Sequence, residues 1–182
     1  SVYGGSNPPT GSGFVSIAST EHGGAALDAS GTLSAWGADN SWNGGSSAPT
    51  GSVVVTIAST EKAFAALDAS GTISAWGHSG YGGSGAPTGS GFVSIASTLR
   101  AFAALDASGT ISAWGSSSYG GSGAPTGSGF VSIASNGLAF AALDASGTIS
   151  AWGTYSQAYN HGGSGAPTGS GFVSIASADY AF

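Results

Sequence analysis

The chain contains no cysteine and only two cationic residues, Lys62 and Arg100. Without cysteine it has no disulfide framework, no thiolate nucleophile and no cysteine-based zinc or iron–sulfur site. A net charge of −6 with two cations leaves no basic patch to neutralise phosphates, which excludes nucleic acid as an expected partner. No apolar run approaches the ~20 residues that cross a bilayer, so we expect no membrane insertion.

Charged residues of either sign are also scarce, at 5% of the chain against roughly 25% in an ordinary soluble domain. Glycine supplies 34 of the 182 residues, and hydrophobic residues make up 41%. Disorder is excluded because disordered chains combine low hydrophobicity with high net charge. The glycines do not recur at every third position, which excludes a collagen helix. The composition therefore predicts a folded protein whose surface carries few charges.

An internal repeat organises the sequence. Its complete copies differ in length only between a Trp-Gly and a Gly-Gly pair, where a surface loop tolerates insertions. The two end segments match the tail and the head of a copy, and joined they form a fifth unit without its centre, AALDASGTISAWG. We predict one repeat domain over 1–182, with a partial unit at 1–12, complete units at 13–52, 53–90, 91–128 and 129–170, and a partial unit at 171–182.

Each copy contains three short strand-like runs, which in the third copy are FVSIAS, AFAAL and TISAW. Alternation places Val93 and Ile95 on one face of the first run, and the uniformly apolar second run suits a strand buried on both sides. Between the second and third runs, Asp106 and Gly109 are the acceptor and the positive-φ residue of a tight hairpin turn. No helical periodicity is present, so we expect an all-β repeat protein of short antiparallel strands whose units stack on their neighbours.

The first complete copy departs from the others at one place. It has Gly23-Gly24 where the later copies have Ala-Phe, as at Ala101-Phe102. If the Phe packs against the preceding unit, this copy has the character of a terminal cap. A different contact at this position is the alternative interpretation.

The order of motifs, I-A-S, A-F-A-A-L-D-A-S-G-T-I-S-A-W-G and Y-G-G, resembles the short bacterial form of the RCC1 repeat over essentially the whole chain. In the third copy the likeness rests on Ile95-Ala96, Ala104-Leu105, Gly109 to Ile111, Trp114-Gly115 and Tyr119 to Gly121. The RCC1-like family includes the β-lactamase inhibitor protein II type. The resemblance to it implies a fold of β-propeller blades, usually seven in a ring. Four copies and two fragments fall short of seven, so an open or incomplete ring completed by neighbouring chains is the alternative to a closed ring.

No convergent acid, base, nucleophile or metal-ligand set is evident, so we predict a protein that is not an enzyme and has no cofactor or metal. The three histidines, His22, His78 and His161, stand at non-equivalent positions and are interpreted as solvated loop residues. One acid recurs in every unit and is interpreted as a turn former rather than as part of a Ca²⁺ site, which needs oxygen ligands at alternating positions. The recurrent acids are Asp28, Asp68, Asp106 and Asp144.

The aromatic residues fall into two groups. One tryptophan ends the third strand of every unit and predicts a packing ladder, formed by Trp36, Trp76, Trp114 and Trp152. The aromatics of the variable loops and the last residue are candidate interface anchors, with folding back onto the sheet edge as the alternative. These are Trp42, Tyr81, Tyr119, Tyr155, Tyr159 and Phe182.

Two functional hypotheses follow. The first is a non-enzymatic structural protein that binds copies of itself and assembles into a filament, tube, shell or surface layer, because nearly identical units with so few charges lack the usual protection of strand edges. The alternative is an inhibitor-like or adhesin-like propeller that binds another protein, or a glycan, through its loop aromatics. The composition favours an extracellular or cell-surface location.

Overall fold

The computed structural model describes residues 8–37, 48–153, 162–179 and 181–182. Within them, the chain forms four three-stranded antiparallel sheets, one for each complete repeat, with the strands in chain order. The all-β class predicted from the repeat is therefore confirmed. The strands are β1 (Phe14–Ser19), β2 (Gly23–Asp28), β3 (Leu33–Gly37), β4 (Val54–Ser59), β5 (Ala63–Asp68), β6 (Ile73–Gly77), β7 (Phe92–Ser97), β8 (Ala101–Asp106), β9 (Ile111–Gly115), β10 (Phe130–Ser135), β11 (Phe140–Asp144) and β12 (Ile149–Trp152).

The first strand of each sheet contains a β-bulge. In the third unit Phe92 pairs with Asp106 and Ser94 with Leu105, so Val93 has no residue opposite it. Val93 is exposed, whereas Ile95 packs against the core. The expectation that these two side chains share an environment was wrong, because an unpaired bulge residue breaks the two-residue alternation that the prediction assumed.

The hydrophobic core lies between successive sheets rather than within one sheet. The central strand β8 is buried from Ala101 to Leu105, as its apolar sequence predicted. Phe102 of the third unit packs with Ala63, Leu67 and Ile73 of the second, and the neighbouring pairs of units repeat this arrangement. Because a single three-stranded sheet cannot bury both faces, each unit depends on its neighbour for stability.

Backbone hydrogen bonds also join each unit to the next at the hairpin turn. Phe92 donates to the carbonyl of Gly71 at 3.0 Å, and Phe130 donates to that of Gly109 at 3.1 Å. The same contact extends beyond the fourth sheet, where Phe172 donates to Gly147 at 3.1 Å. Residues 171–177 thus lie where the first strand of a fifth unit would lie.

Two short 3₁₀ helices, Ser79–Tyr81 and Ser117–Tyr119, begin the variable loops of the second and third units. In the part of the chain that the structure describes, no helix is long and apolar enough to cross a membrane.

Candidate functional site

The recurrent aspartates close the hairpin turns. Asp106 Oδ1 accepts hydrogen bonds from Ser108 N at 2.9 Å, Ser108 Oγ at 2.6 Å and Thr110 N at 2.8 Å. The bond from the serine hydroxyl, followed by those from backbone N–H groups, lowers the pKa of this carboxyl below its ordinary value. Asp28, Asp68 and Asp144 make the same bonds and have lowered pKa values for the same reason.

This arrangement predicts that the fold loses stability in acid. Because the carboxyl pKa values are lower in the folded chain than in the unfolded chain, the stabilisation is fully present above the unfolded value of 3.8 and is lost as the pH falls through the folded values. Urea unfolding between pH about 5 and about 2 should show the free energy of unfolding falling steadily. The variant Asp106→Asn should show a shallower fall, and an identical pH slope in this variant would contradict the role of the turn carboxylates.

The tryptophan at the end of the third strand packs on the phenylalanine of the second. Trp114 stacks on Phe102 with 5.2 Å between ring centroids, and Trp76 on Phe64 and Trp152 on Phe140 do the same. Trp114 Nε1 also donates to the carbonyl of Gly82, in the preceding unit, at 3.0 Å. These three indoles are buried and lie at the contacts between units.

The first unit differs because Gly24 replaces this phenylalanine. The ring of Trp36 lies against Gly24, in the space that a side chain at that position would need. Trp36 is half-buried, whereas the other three ladder tryptophans are buried. The glycine pair therefore lets the first unit cover part of its own outer face.

Two of the loop aromatics contact the two cations of the chain. Arg100 lies 4.9 Å from the ring centroid of Tyr81 and 5.0 Å from that of Tyr119, and its Nε is 3.2 Å from Glu61 Oε2. Lys62 lies 5.4 Å from the Tyr81 centroid and 3.6 Å from Glu21. Both cations thus pair with an acid of the preceding unit, so the scarce charges link units to one another.

Two of the candidate interface residues, Tyr81 and Tyr119, are less exposed than an interface anchor would be. Tyr119 is 6% exposed and Tyr81 is half-buried, so at these two positions the chain folds back rather than presenting an exposed anchor. Tyr119 belongs to the hydrophobic cluster between the third and fourth units, Tyr81 packs against the cluster between the second and third, and Arg100 lies over both rings. Trp42, Tyr155, Tyr159 and His161 lie outside the described residues.

A ladder of backbone hydrogen bonds crosses the units at the turn between the first and second strands. Glu21 N donates to Glu61 O at 2.8 Å, Glu61 N to Leu99 O at 2.9 Å, Leu99 N to Gly137 O at 3.0 Å, and Gly137 N to Asp179 O at 3.2 Å. At its two ends, the carbonyl of Glu21 and the N–H of Asp179 have no partner among the described residues. The sequence did not predict this ladder, because its hydrogen bonds join only backbone atoms and the side chains of its five residues differ.

The outer face of the fourth unit carries an open apolar cleft. Its volume is ≈ 210 Å³, and it lies between Ala141, Ile149 and Ala151 of the fourth sheet and Ile175 and Phe182 of the following segment. The Phe182 ring lies over Gly162 as the Phe140 ring lies over Gly120, yet Phe182 is 37% exposed and Phe140 is fully buried. Among the residues that the structure describes, none from the first unit lines this cleft.

Within the described ranges, His, Asp and Glu residues form no group of three that could hold a metal ion. The turn carboxylates are separated by whole units, and each Oδ1 is engaged by its own turn. The contacts described above, the stacked aromatic pairs and the backbone hydrogen bonds, serve to pack one unit against the next.

No protein-family model matches the chain, and no curated protein matches it. Solved structures do. The ectodomain of the Physcomitrella patens receptor kinase CR4 matches with a TM-score of 0.59 and 19% identity over 79% of this chain and 42% of its own. The CRINKLY WD40 ectodomain of the Arabidopsis thaliana receptor kinase ACR4 matches with a TM-score of 0.59 and 15% identity, over 78% of this chain and 53% of its own. Yeast RCC1 (Prp20), in a structure with Kap60, matches with a TM-score of 0.61 and 20% identity, over 77% of this chain and 43% of its own.

These matches show the fold: the four sheets are blades of the RCC1 and WD40 propeller type. The fold that the sequence resemblance implied is confirmed, while membership of the RCC1 repeat family stays a prediction. The chain spans about half the length of the structures it matches.

Proposed function

We propose that this chain is a non-enzymatic protein-binding module that binds a second copy of itself head to tail. The observation that carries the proposal is the inter-unit ladder, in which the carbonyl of Glu21 and the N–H of Asp179 have no backbone partner among the described residues. A bond from Asp179 of one copy to Glu21 of the next repeats a contact that the chain already makes four times. A heterologous contact of this kind propagates without closing, unless its rotation completes a ring.

A protein with blades of similar fold binds other proteins. Yeast RCC1 has been solved bound to Kap60, and Prp20p was studied for its binding to Gsp1p and histones. Those partners belong to those proteins. The sparse charge of this chain favours a different partner, a surface equally poor in charge, because charged edges are the usual defence against strand docking. Repeated head-to-tail contacts would build the filament, tube or shell expected from the sequence.

The absence of native cysteine allows a direct test by disulfide trapping. The variants Glu21→Cys and Asp179→Cys are purified separately, mixed and mildly oxidised, and the products are identified by intact mass. The ladder bond brings the two Cα atoms of neighbouring residues within disulfide range, so we expect the mixed dimer to predominate. The double variant Glu61→Cys/Leu99→Cys, which joins two adjacent ladder residues, is the positive control within one chain.

The matched negative control pairs Asp179→Cys with Ser108→Cys, which lies in an exposed turn away from the ladder. If the Glu21→Cys and Asp179→Cys pair gives no more mixed dimer than this control, the head-to-tail contact is wrong.

A further inference from the structure

The segment that leads into the first strand of a unit repeats one motif, Pro-Thr-Gly-Ser. The motif occurs five times and contains five of the six prolines of the chain. The contacts between units described above use none of its hydroxyl groups. Its copies are residues 9–12, 49–52, 87–90, 125–128 and 167–170, and the structure describes all of them.

The backbone of the motif holds its threonine away from the protein. In the second unit, Ala86 packs against the core cluster between units, and Pro87 fixes its own φ near about −65°. Thr88 is exposed, and Gly89 follows it with φ of +106°. A Cβ at Gly89 would meet nothing within 4 Å, so the threonine stands beside open space. The same space is open at the equivalent glycines, Gly11, Gly51, Gly127 and Gly169.

Hydrogen bonding separates these threonines from the other recurrent threonines of the repeat. Thr98 is buried, and its hydroxyl donates to the carbonyl of Tyr119 at 3.0 Å. The Thr72 hydroxyl lies 2.9 Å from Ser70 Oγ in the hairpin turn. The hydroxyl of Thr88, by contrast, has no hydrogen-bond partner among the described residues. Of the three positions, only the one in Pro-Thr-Gly-Ser is both exposed and unengaged.

The chemistry of the surroundings favours a neutral sugar over a phosphate on this hydroxyl. A phosphate is stabilised by nearby cations, yet the chain has only Lys62 and Arg100, and both already pair with acids. A sugar needs no counter-charge, and threonine next to proline is typical of O-glycosylated segments. Sugars would also hydrate a surface in which charged residues are scarce, at 5% of the chain.

We propose that the threonine of each Pro-Thr-Gly-Ser segment is a site of O-linked glycosylation. Its Oγ1 attacks the anomeric carbon of a nucleotide-activated hexose or N-acetylhexosamine held by a glycosyltransferase. The new C–O bond forms as the bond from that carbon to the diphosphate breaks. The nucleoside diphosphate leaves with the electron pair, and the hydroxyl proton passes to a base of the transferase. The sites are Thr10, Thr50, Thr88, Thr126 and Thr168.

This inference does not depend on the proposed self-association. The Pro-Thr-Gly-Ser segment precedes the first strand of its unit, whereas the ladder residue follows that strand. In the third unit β7 (Phe92–Ser97) lies between Thr88 and Leu99. Sugars on the threonines therefore leave the ladder turn uncovered.

The test is a mass analysis of the protein purified from its natural source. Trypsin cleaves after Lys62 and Arg100 and releases residues 63–100, whose three threonines represent the three classes. Fragmentation by electron transfer, which leaves glycosidic bonds intact, then locates any added mass. We expect whole hexose or N-acetylhexosamine units on Thr88 and none on Thr72 or Thr98.

Two variants produced in the same source confirm the position. Thr88→Val removes the hydroxyl with little change of shape, and fragment 63–100 should then carry no sugar. Thr72→Val is the matched control within the same fragment, because it removes a hydroxyl that lies in the hairpin turn. The Thr72→Val fragment should keep the sugar on Thr88.

An unmodified fragment 63–100, a sugar confined to Thr72 or Thr98, or a phosphate on Thr88 would each overturn the proposal. Trapped head-to-tail dimers together with an unmodified fragment would remove the glycosylation and leave the self-association standing. A sugar on Thr88 without trapped dimers would support the glycosylation and remove only the self-association.

Discussion

Replacing Phe102 with alanine should lower the free energy of unfolding by about 3–5 kcal/mol, the usual cost of truncating a fully buried phenylalanine. The side chain is completely buried, stacks on Trp114 and lies over Gly82 of the preceding unit. Truncation therefore leaves a cavity at the contact between two units. Because the units are stable only when stacked, the loss affects both sheets.

The measurement is urea unfolding followed by far-ultraviolet circular dichroism. Val93→Ala serves as the control, since Val93 is an exposed bulge residue and the third residue of its unit, and its effect should lie within about 0.5 kcal/mol. A loss of less than about 1 kcal/mol for Phe102→Ala would show that the core does not lie between the sheets.

Replacing Gly109 with alanine should destabilise the chain by about 2 kcal/mol or more beyond the same change at Gly123. Both glycines have left-handed backbones, with φ of +80° and +79°. Alanine therefore meets a similar conformational penalty of about 1–2 kcal/mol at each. A Cβ at Gly123 would meet nothing within 4 Å, whereas one at Gly109 would lie 2.5 Å from Gly129 N and 2.7 Å from Phe130 N.

The difference between these two variants isolates the backbone contact between units. The Cβ at position 109 must push the next unit away and break the hydrogen bond from Phe130 to Gly109. Thermal unfolding of the pair should give a clearly lower Tm for Gly109→Ala. Equal Tm values would contradict the close approach of one unit's turn to the next unit's first strand.

The repeated pattern predicted the strands and the hairpin turn because both depend on local sequence. Asp106 and Gly109 form a turn with residues at most four positions away, so spacing was sufficient to identify their roles. The apolar run of β8 likewise indicated burial on both sides. The same local rules failed at Val93, where the bulge depends on how two strands pair rather than on either strand alone.

The contacts between units were less predictable. For Tyr119 the sequence left two alternatives open, an exposed anchor or a ring folded back onto the sheet edge, and in the structure the ring is buried beneath Arg100, nineteen positions earlier. The ladder from Glu21 to Asp179 has no sequence signature, because hydrogen bonds between backbone atoms place no demand on the side chains. Such features depend on how one unit packs against the next, which the sequence of a single unit does not contain.

The outer faces of the first and the fourth units differ in structure. At one end Trp36 covers Gly24 and partly closes the face. At the other, Phe182 and Ile149 line a cleft that the internal units fill with a neighbour.

Sedimentation velocity of the unaltered 182-residue chain over a wide concentration range tests the central claim most directly. Head-to-tail association predicts that the weight-average sedimentation coefficient rises with concentration, and that the trapped dimer of Glu21→Cys and Asp179→Cys sediments like the smallest oligomer of the unaltered chain. A single species with the mass of the monomer, 17.2 kDa, at every concentration would contradict the account.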